Sequence, residues 1–191
     1  MSTAGPNYPS TGADDSAVGS ITWSSPGNIT AEDNVYATSL GKSDNTTHYL
    51  KGTEFGFSVP AGSTIDGITV TISRKASGAS AGTRAVYDSI VRLVIGGSVV
   101  GDNKAATSTM WPLAEATASY GGISDKWGLT PTADDVNGSD FGVVLSARHN
   151  GSLSGQSSVD SITVIVTYTE GGGPSFQSAW ARNSNAVIKV M

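Results

Sequence analysis

The sequence lacks cysteine altogether and is poor in charged residues and in histidine. Its 191 residues include no cysteine, two histidines and only 14% charged residues, against about 25% charged residues in typical soluble domains. Without cysteine the chain can form neither a disulfide nor a thiolate metal site. Its net charge of -5 provides no basic surface for nucleic acid, whose binding depends on neutralising phosphates. We therefore expect no nucleic-acid partner.

Long apolar runs are also missing. No run of roughly 18 apolar residues, the minimum for a membrane-spanning helix, occurs in the chain. Residues 1–20 contain no basic segment followed by an apolar one, which is the pattern of a signal peptide. We therefore expect a protein that is made in the cytoplasm and has no membrane partner.

Two long alternating runs are the strongest structural signal. Residues 65–76 and 159–169 alternate aliphatic side chains with threonine or serine. Because strand side chains point to opposite faces in turn, each run predicts a strand with one buried face. Serine and threonine, 48 residues in total, suit the wet faces of sheets and their turns. The residues predicted to form a shared core between two sheets are Ile68, Val70, Ile72, Val91, Leu93, Val143, Leu145, Ile162, Val164 and Val166.

Turn signals divide the chain into about eight strands. The pair Gly96-Gly97 is typical of a β-hairpin. Residues 130–136 place a hydroxyl, then a proline and two acids, at the start of a segment, which predicts one or two helical turns. The strand spacings are too long for simple meanders. They favour an all-β protein with an antiparallel β-sandwich of jelly-roll or Greek-key type.

Three segments are predicted along the chain. Residues 1–20 have no hydrophobic period and are expected to form an extended N-terminal arm, whereas residues 21–169 form the sandwich domain. Residues 170–191 are predicted to be a glycine-rich hinge followed by a C-terminal interaction arm. Disordered tails are depleted in aromatic and aliphatic residues, so we expect this arm to bind a partner. Its expected partner-binding residues are Phe176, Trp180, Arg182, Val187 and Ile188.

No group of residues forms a recognisable catalytic arrangement. Residues 78–82 match the nucleophile-elbow pattern, but that turn requires a preceding strand, a following helix and a histidine partner. His48 and His149 stand apart from any second catalytic or metal-binding residue, and we expect both to be surface or loop histidines. The sequence therefore predicts no catalytic residue and no enzymatic activity.

The acidic residues occupy turns and strand ends. One group in a turn could offer oxygen ligands to calcium, although helix capping and turn formation explain it equally well. A second group at strand ends is expected to bond the local backbone. We therefore expect no cofactor and no required metal. The turn group is Asp134, Asp135, Asn137 and Asp140, and the strand-end group is Asp33, Asp66, Asp88 and Asp160.

The aromatic residues leave two interpretations open. They could form a platform on which sugars stack, as in carbohydrate-binding jelly rolls, or they could fill the core and interfaces. Solvent exposure of the tryptophans would distinguish the two. The residues concerned are Trp23, Trp111, Trp127, Trp180, Tyr36, Tyr49, Tyr87 and Tyr120.

An ordered series of motifs runs from about residue 20 to residue 169. The motifs are Trp23 and residues 33–37, 49–51, 55–60, 65–70, 127–128, 141–143 and 159–162. Their order resembles that of jelly-roll structural proteins encoded by tailed bacteriophages. These motifs are specific to a fold and not to an activity.

Within that class, a small acidic jelly roll with arms at both ends is most similar to capsid decoration, or cement, proteins. The resemblance implies a non-enzymatic protein on the capsid surface of the virion, which binds the major capsid protein and self-associates as a homotrimer. The alternative is a carbohydrate-binding jelly-roll module of a phage tail or fibre assembly. An accessory enzyme such as a glycan hydrolase comes third, because no acid pair is identifiable.

Overall fold

The computed structural model describes residues 1–77 and 85–171, and within them the chain forms eleven strands and one short α-helix. The helix α1 is Ala133–Asn137, and a 3-10 helix spans Pro26–Ile29. The strands are β1 (Ser2–Asn7), β2 (Thr11–Asp15), β3 (Ala37–Gly41), β4 (Asn45–Thr46), β5 (Tyr49–Thr53), β6 (Thr64–Ser77), β7 (Ala85–Ile95), β8 (Ser98–Val100), β9 (Ala116–Gly122), β10 (Gly142–Asn150) and β11 (Gly155–Thr169).

The strands form two antiparallel sheets. Sheet A has the order β1-β11-β6-β9, with β3 also paired to β11. Sheet B has the order β2-β5-β10-β7-β8, with β4 also paired to β10. The chain changes sheet at every connection except β4 to β5 and the β7–β8 hairpin. This crossing pattern confirms the predicted jelly-roll sandwich, with more strands than the eight expected because the short edge strands carry little sequence signal.

The core lies between the sheets, where the sequence predicted it. Aliphatic side chains from β6 and β11 face those from β7 and β10, and all ten predicted core residues are fully buried. Alternation decides this outcome, because a strand with one wet face must turn every second side chain inward. The long runs of β6 and β11 pair along most of their length and form the centre of sheet A.

The predicted N-terminal arm is wrong. Residues 2–7 form β1, which pairs with β11, and residues 11–15 form β2, which pairs with β5. Both are edge strands, and edge strands tolerate glycine and proline because one side of their backbone needs no ladder partner. The predicted hinge and C-terminal arm lie, beyond Gly171, outside the described residues.

Two local predictions are confirmed at the level of the backbone. Gly96 and Gly97 have φ angles of 59° and 74°, the left-handed values that a two-residue hairpin turn requires. Thr132 caps α1: its side chain accepts a hydrogen bond from the backbone of Asp135, and the Asp135 side chain bonds back to the backbone of Thr132. Across the described part of the chain no helix has the length and apolar character needed to cross a membrane.

Candidate functional site

Three acidic side chains meet on the outer side of sheet A. Carboxylate oxygens of Glu32, Glu115 and Asp160 all lie within 4.8 Å of one another, and we call this group the acidic cluster. It forms at a β-bulge in β11, where the register with β6 shifts between Val159 and Ser161. Asp160 is the extra residue of that bulge. A bulge re-aims the side chain of its extra residue, which takes Asp160 out of the strand alternation.

Two loops bring the glutamates to the bulge. Glu32 lies in the segment before β3, which is tied to β11 by a backbone bridge between Thr30 and Ser161. Asp33 shapes the same segment, since its carboxylate accepts a hydrogen bond from the Val35 backbone at 3.0 Å. Glu115 directly precedes β9. The cluster therefore joins three parts of the chain that are remote in sequence.

Glu115 has hydrogen-bonding partners besides the cluster. One oxygen accepts a hydrogen bond from the Tyr36 hydroxyl at 2.5 Å, and the other accepts one from the Ser73 hydroxyl at 2.8 Å. The Tyr36 hydroxyl, with smaller contributions from Ser73, Lys75 and the neighbouring Asp160 carboxyl group, holds the pKa of Glu115 below its usual value. The Lys75 ammonium lies 3.7 Å from the centre of the Tyr36 ring.

Asp160, unlike Glu115, has no hydrogen-bonding partner outside the cluster among the described residues. Its side chain is fully buried, and neither carboxylate oxygen has a hydrogen-bonding partner among the described residues. Burial, together with the charge of Glu115, raises the pKa of Asp160, while the backbone amides of Asp33 and Asn34 oppose this rise without forming hydrogen bonds of good geometry. An unpaired buried carboxylate is costly. The acidic cluster therefore requires a cation or a proton.

A second polar group crosses the core, and both carboxylate oxygens of its central residue, Asp88, have hydrogen-bonding partners, whereas the Nε atom of Arg74 has none among the described residues. Asp88 on β7 forms an ion pair with Arg74 on β6. It also accepts hydrogen bonds from the Trp111 indole at 2.8 Å, the Tyr120 hydroxyl at 2.8 Å and the Ala106 backbone at 3.0 Å. Burial raises the pKa of Tyr120, and the charge of Asp88 raises it further. We call these side chains the Asp88 network, and their burial gives the network a structural role.

The two histidines occupy different environments. His48 lies beside Asp14, with 2.8 Å between its Nδ1 atom and the carboxylate. His149 is 1% exposed on β10, so the prediction of a surface or loop histidine is wrong for this residue. Burial lowers the pKa of His149 to about 4. Its Nε2 atom lies 3.4 Å from the Ser157 hydroxyl, which leaves the ring suited to packing and not to proton transfer with solvent.

Two members of the predicted turn group are engaged in local structure. Asp135 is engaged in the cap of α1, as predicted. Asn137 forms two hydrogen bonds to the backbone of Val59, accepting one at 2.8 Å and donating one at 2.9 Å. Asn137 therefore holds the segment before β6 against α1. Residues 78–82, the elbow pattern, lie outside the described residues.

The strand-end aspartates divide into correct and wrong predictions. Asp33 bonds its local backbone as predicted, whereas Asp66 accepts a hydrogen bond from the Thr169 hydroxyl at 2.6 Å. Asp88 and Asp160 are fully buried and do not serve a local turn. A phase change in the sequence could have revealed Asp160, because the inward residues Val159 and Ile162 are three positions apart and not two.

The seven aromatic residues of the predicted set that the structure describes form no open platform for sugar stacking. Tryptophans Trp23, Trp111 and Trp127 are 3%, 0% and 0% exposed. Tyr36 and Tyr87 are half-buried, and cations cover them: the ammonium of Lys75 in the first case and the guanidinium of Arg148, 5.3 Å from the ring centre, in the second. Tyr49 and Tyr120 are buried, and Trp180 lies outside the described residues.

Comparison with known proteins gives distant likenesses only. No protein-family model matches the chain, and no curated protein matches it. Among solved structures, a CBM4 carbohydrate-binding module has a TM-score of 0.37 and 10% identity over 70% of this chain and 85% of its own. A Stig cyclase, FisC from Fischerella sp. TAU, has a TM-score of 0.37 and 11% identity over 86% and 93%.

A third solved structure is the N-terminal cellulose-binding domain of β-1,4-glucanase C from Cellulomonas fimi. It has a TM-score of 0.33 and 10% identity over 84% of this chain and 89% of its own. Likenesses this distant carry no argument about function. The sheets described above establish the fold class on their own.

Proposed function

We propose that this protein is a non-enzymatic structural component of a tailed-bacteriophage virion, which binds the assembled capsid and stabilises it. The observation that carries the proposal is the burial of Trp23, Trp111 and Trp127. These three side chains fill the interior of the sandwich. Their burial supports the interpretation of the aromatic residues as core fillers over the sugar-stacking interpretation. The motif order that resembles phage jelly rolls supplies the virion context.

Stabilisation of the shell would follow from mass action. A subunit that binds only the assembled capsid lowers the free energy of that state relative to the dissociated one. The proposed partners are the major capsid protein and further copies of this chain, as a homotrimer. The proposed location is the outer surface of the capsid.

The edge of sheet A at β9 suits such contacts. In the described residues β9 pairs only with β6, so its other edge offers backbone groups to which a neighbouring strand can be added. Leu113 and Ile123, just before and just after β9, are 62% and 64% exposed. Apolar side chains at both ends of a free edge are typical of a protein contact surface.

Quantitative mass spectrometry of purified particles tests the proposal. We expect the protein to be present in proportion to the major capsid protein, because a decoration protein occupies each repeated site of the shell. A copy number of only a handful would contradict capsid decoration and place the protein at the tail. Binding of glycans by the purified protein, together with that low copy number, would favour the carbohydrate-binding alternative.

Deletion of residues 175–191 tests the predicted attachment residues. We expect the shortened protein to keep the melting temperature of the full chain, because the two sheets and their core lie within residues 2–169. We expect it to lose binding to capsids that lack the protein, measured by co-sedimentation. The alanine double variant of Trp180 and Ile188 serves as the milder change. Unchanged occupancy of the shortened protein would exclude this segment as the attachment element and turn attention to the β9 edge.

A further inference from the structure

We propose that the acidic cluster of Glu32, Glu115 and Asp160 binds a calcium ion, which ties the segment before β3 and the segment before β9 to the bulge of β11. Three carboxylates with oxygens within 4.8 Å of one another form the ligand set. The fully buried Asp160, whose two oxygens have no hydrogen-bonding partner in the described residues, indicates that a ligand belongs there. This inference does not depend on the proposed virion function.

The buried carboxylate is the centre of the argument. A buried ion is strongly destabilising unless it is paired or coordinates a metal. The ammonium of Lys75 lies over the ring of Tyr36, and the described structure shows no ion pair between Lys75 and Asp160. Without a bound cation, the charge of Lys75 acts on Glu115, while neither oxygen of Asp160 has a hydrogen-bonding partner among the described residues.

The chemistry of the donors selects calcium. All three ligands are carboxylates, which are hard oxygen donors, whereas zinc prefers nitrogen and sulfur. Calcium binds oxygen at about 2.3 to 2.6 Å, so two of its ligands lie at most about 5 Å apart, which matches the cluster. Magnesium requires a shorter, near-octahedral shell and keeps several waters. Glu32 is exposed, so water can complete an irregular calcium shell on that side.

A proton is the competing explanation. If Asp160 and Glu115 shared a proton, the pair would carry one charge less and would need no metal. The pKa of Asp160 is raised above its usual value, and this shift refers to the cluster without a bound cation. The two explanations differ in one respect: only the calcium site responds to added calcium at neutral pH.

Calorimetric titration and thermal unfolding of the chelator-treated full-length protein test the proposal. We expect calcium chloride to bind with one ion per chain. At about a hundredfold excess over its Kd, calcium should raise the Tm by about 5 to 10 °C. Magnesium chloride at the same concentration should raise the Tm by less than half of that shift.

Variants separate a ligand from a merely structural residue. Asp160→Asn should abolish the calcium response, and without calcium it should melt at or above the temperature of the metal-free wild type, because the unpaired buried charge is gone. Glu115→Gln should weaken calcium binding at least tenfold and provides a second variant should Asp160→Asn fail to fold. Asp134→Asn, the matched control in the first turn of α1, should respond as the wild type does.

Three results would overturn the inference. The first is a wild-type protein whose Tm does not change with calcium, which would indicate the shared proton. The second is a calcium response that survives in Asp160→Asn, which would place the ion outside the acidic cluster, or that disappears in Asp134→Asn, which would place it in the turn group. The third is an equal response to magnesium. The calcium site also departs from our sequence expectation that no metal is required.

Discussion

Replacing Asp88 with alanine is expected to lower the free energy of unfolding by about 3 to 5 kcal/mol, because it breaks a buried ion pair and leaves one charge behind. Arg74 is 4% exposed, so its guanidinium would remain in the core without a counter-charge. The Trp111 indole, the Tyr120 hydroxyl and the Ala106 backbone would also lose their acceptor. Each buried donor left unsatisfied adds to the loss.

Equilibrium unfolding in urea measures this effect. The matched control is a half-buried ion pair at the surface, Lys51 with Asp15, whose atoms are 3.4 Å apart; Asp15→Ala should cost less than about 1 kcal/mol. The double variant Arg74→Met, Asp88→Leu should recover the part of the loss that comes from the unpaired Arg74 charge, since a buried ion pair can be replaced by apolar residues of similar volume, but not the part that comes from the donors left without an acceptor. Equal losses for Asp88→Ala and Asp15→Ala would show that the Asp88 network is not desolvated as the structure indicates.

The sequence predicted the core because alternation is a local property. Ile162 and Val164 can be assigned to one face from their spacing alone, and the pairing of β11 with β6 then follows from their matching lengths. The Asp88 network could not be predicted in the same way. Arg74 and Asp88 lie on strands in different sheets, so their contact depends on how the two sheets face each other and not on either strand's pattern.

The acidic cluster could be predicted only in part from local patterns in the sequence. The spacing of Val159 and Ile162 indicates a bulge, and a bulge indicates that Asp160 leaves the alternation. Nothing in the sequence shows that Glu32 and Glu115, more than 80 residues apart, end beside it. The N-terminal strands were missed for a related reason, because an edge strand such as β1 receives its hydrogen bonds from β11 and needs little hydrophobic pattern of its own.

Acidification below neutral pH is expected to destabilise the fold through His149. Burial lowers the pKa of His149 to about 4 in the folded protein, while an unfolded histidine has a pKa of about 6.5. Between these values the unfolded chain binds the proton more readily than the folded one. The contribution of neutral His149 to stability is therefore complete above about pH 6.5 and is lost as the pH falls towards 4, by about 3 kcal/mol in total.

The variant His149→Gln isolates this effect, because glutamine has no charge to gain. Its ring-free side chain will pack less well against Gly41 and Ser157, so we expect lower stability at pH 7 but a weaker fall in the unfolding free energy between pH 6.5 and 4. Comparing the two proteins, both free of calcium, is necessary because the pKa of Asp160 is raised in the folded state without a bound cation. Its carboxyl group then takes up a proton more readily when the protein is folded, which opposes the slope due to His149. The difference between the two curves cancels the contribution of Asp160. Parallel curves would mean that the folded structure admits the His149 proton as easily as the unfolded chain does, and that the surroundings of His149 open to water before the fold is lost.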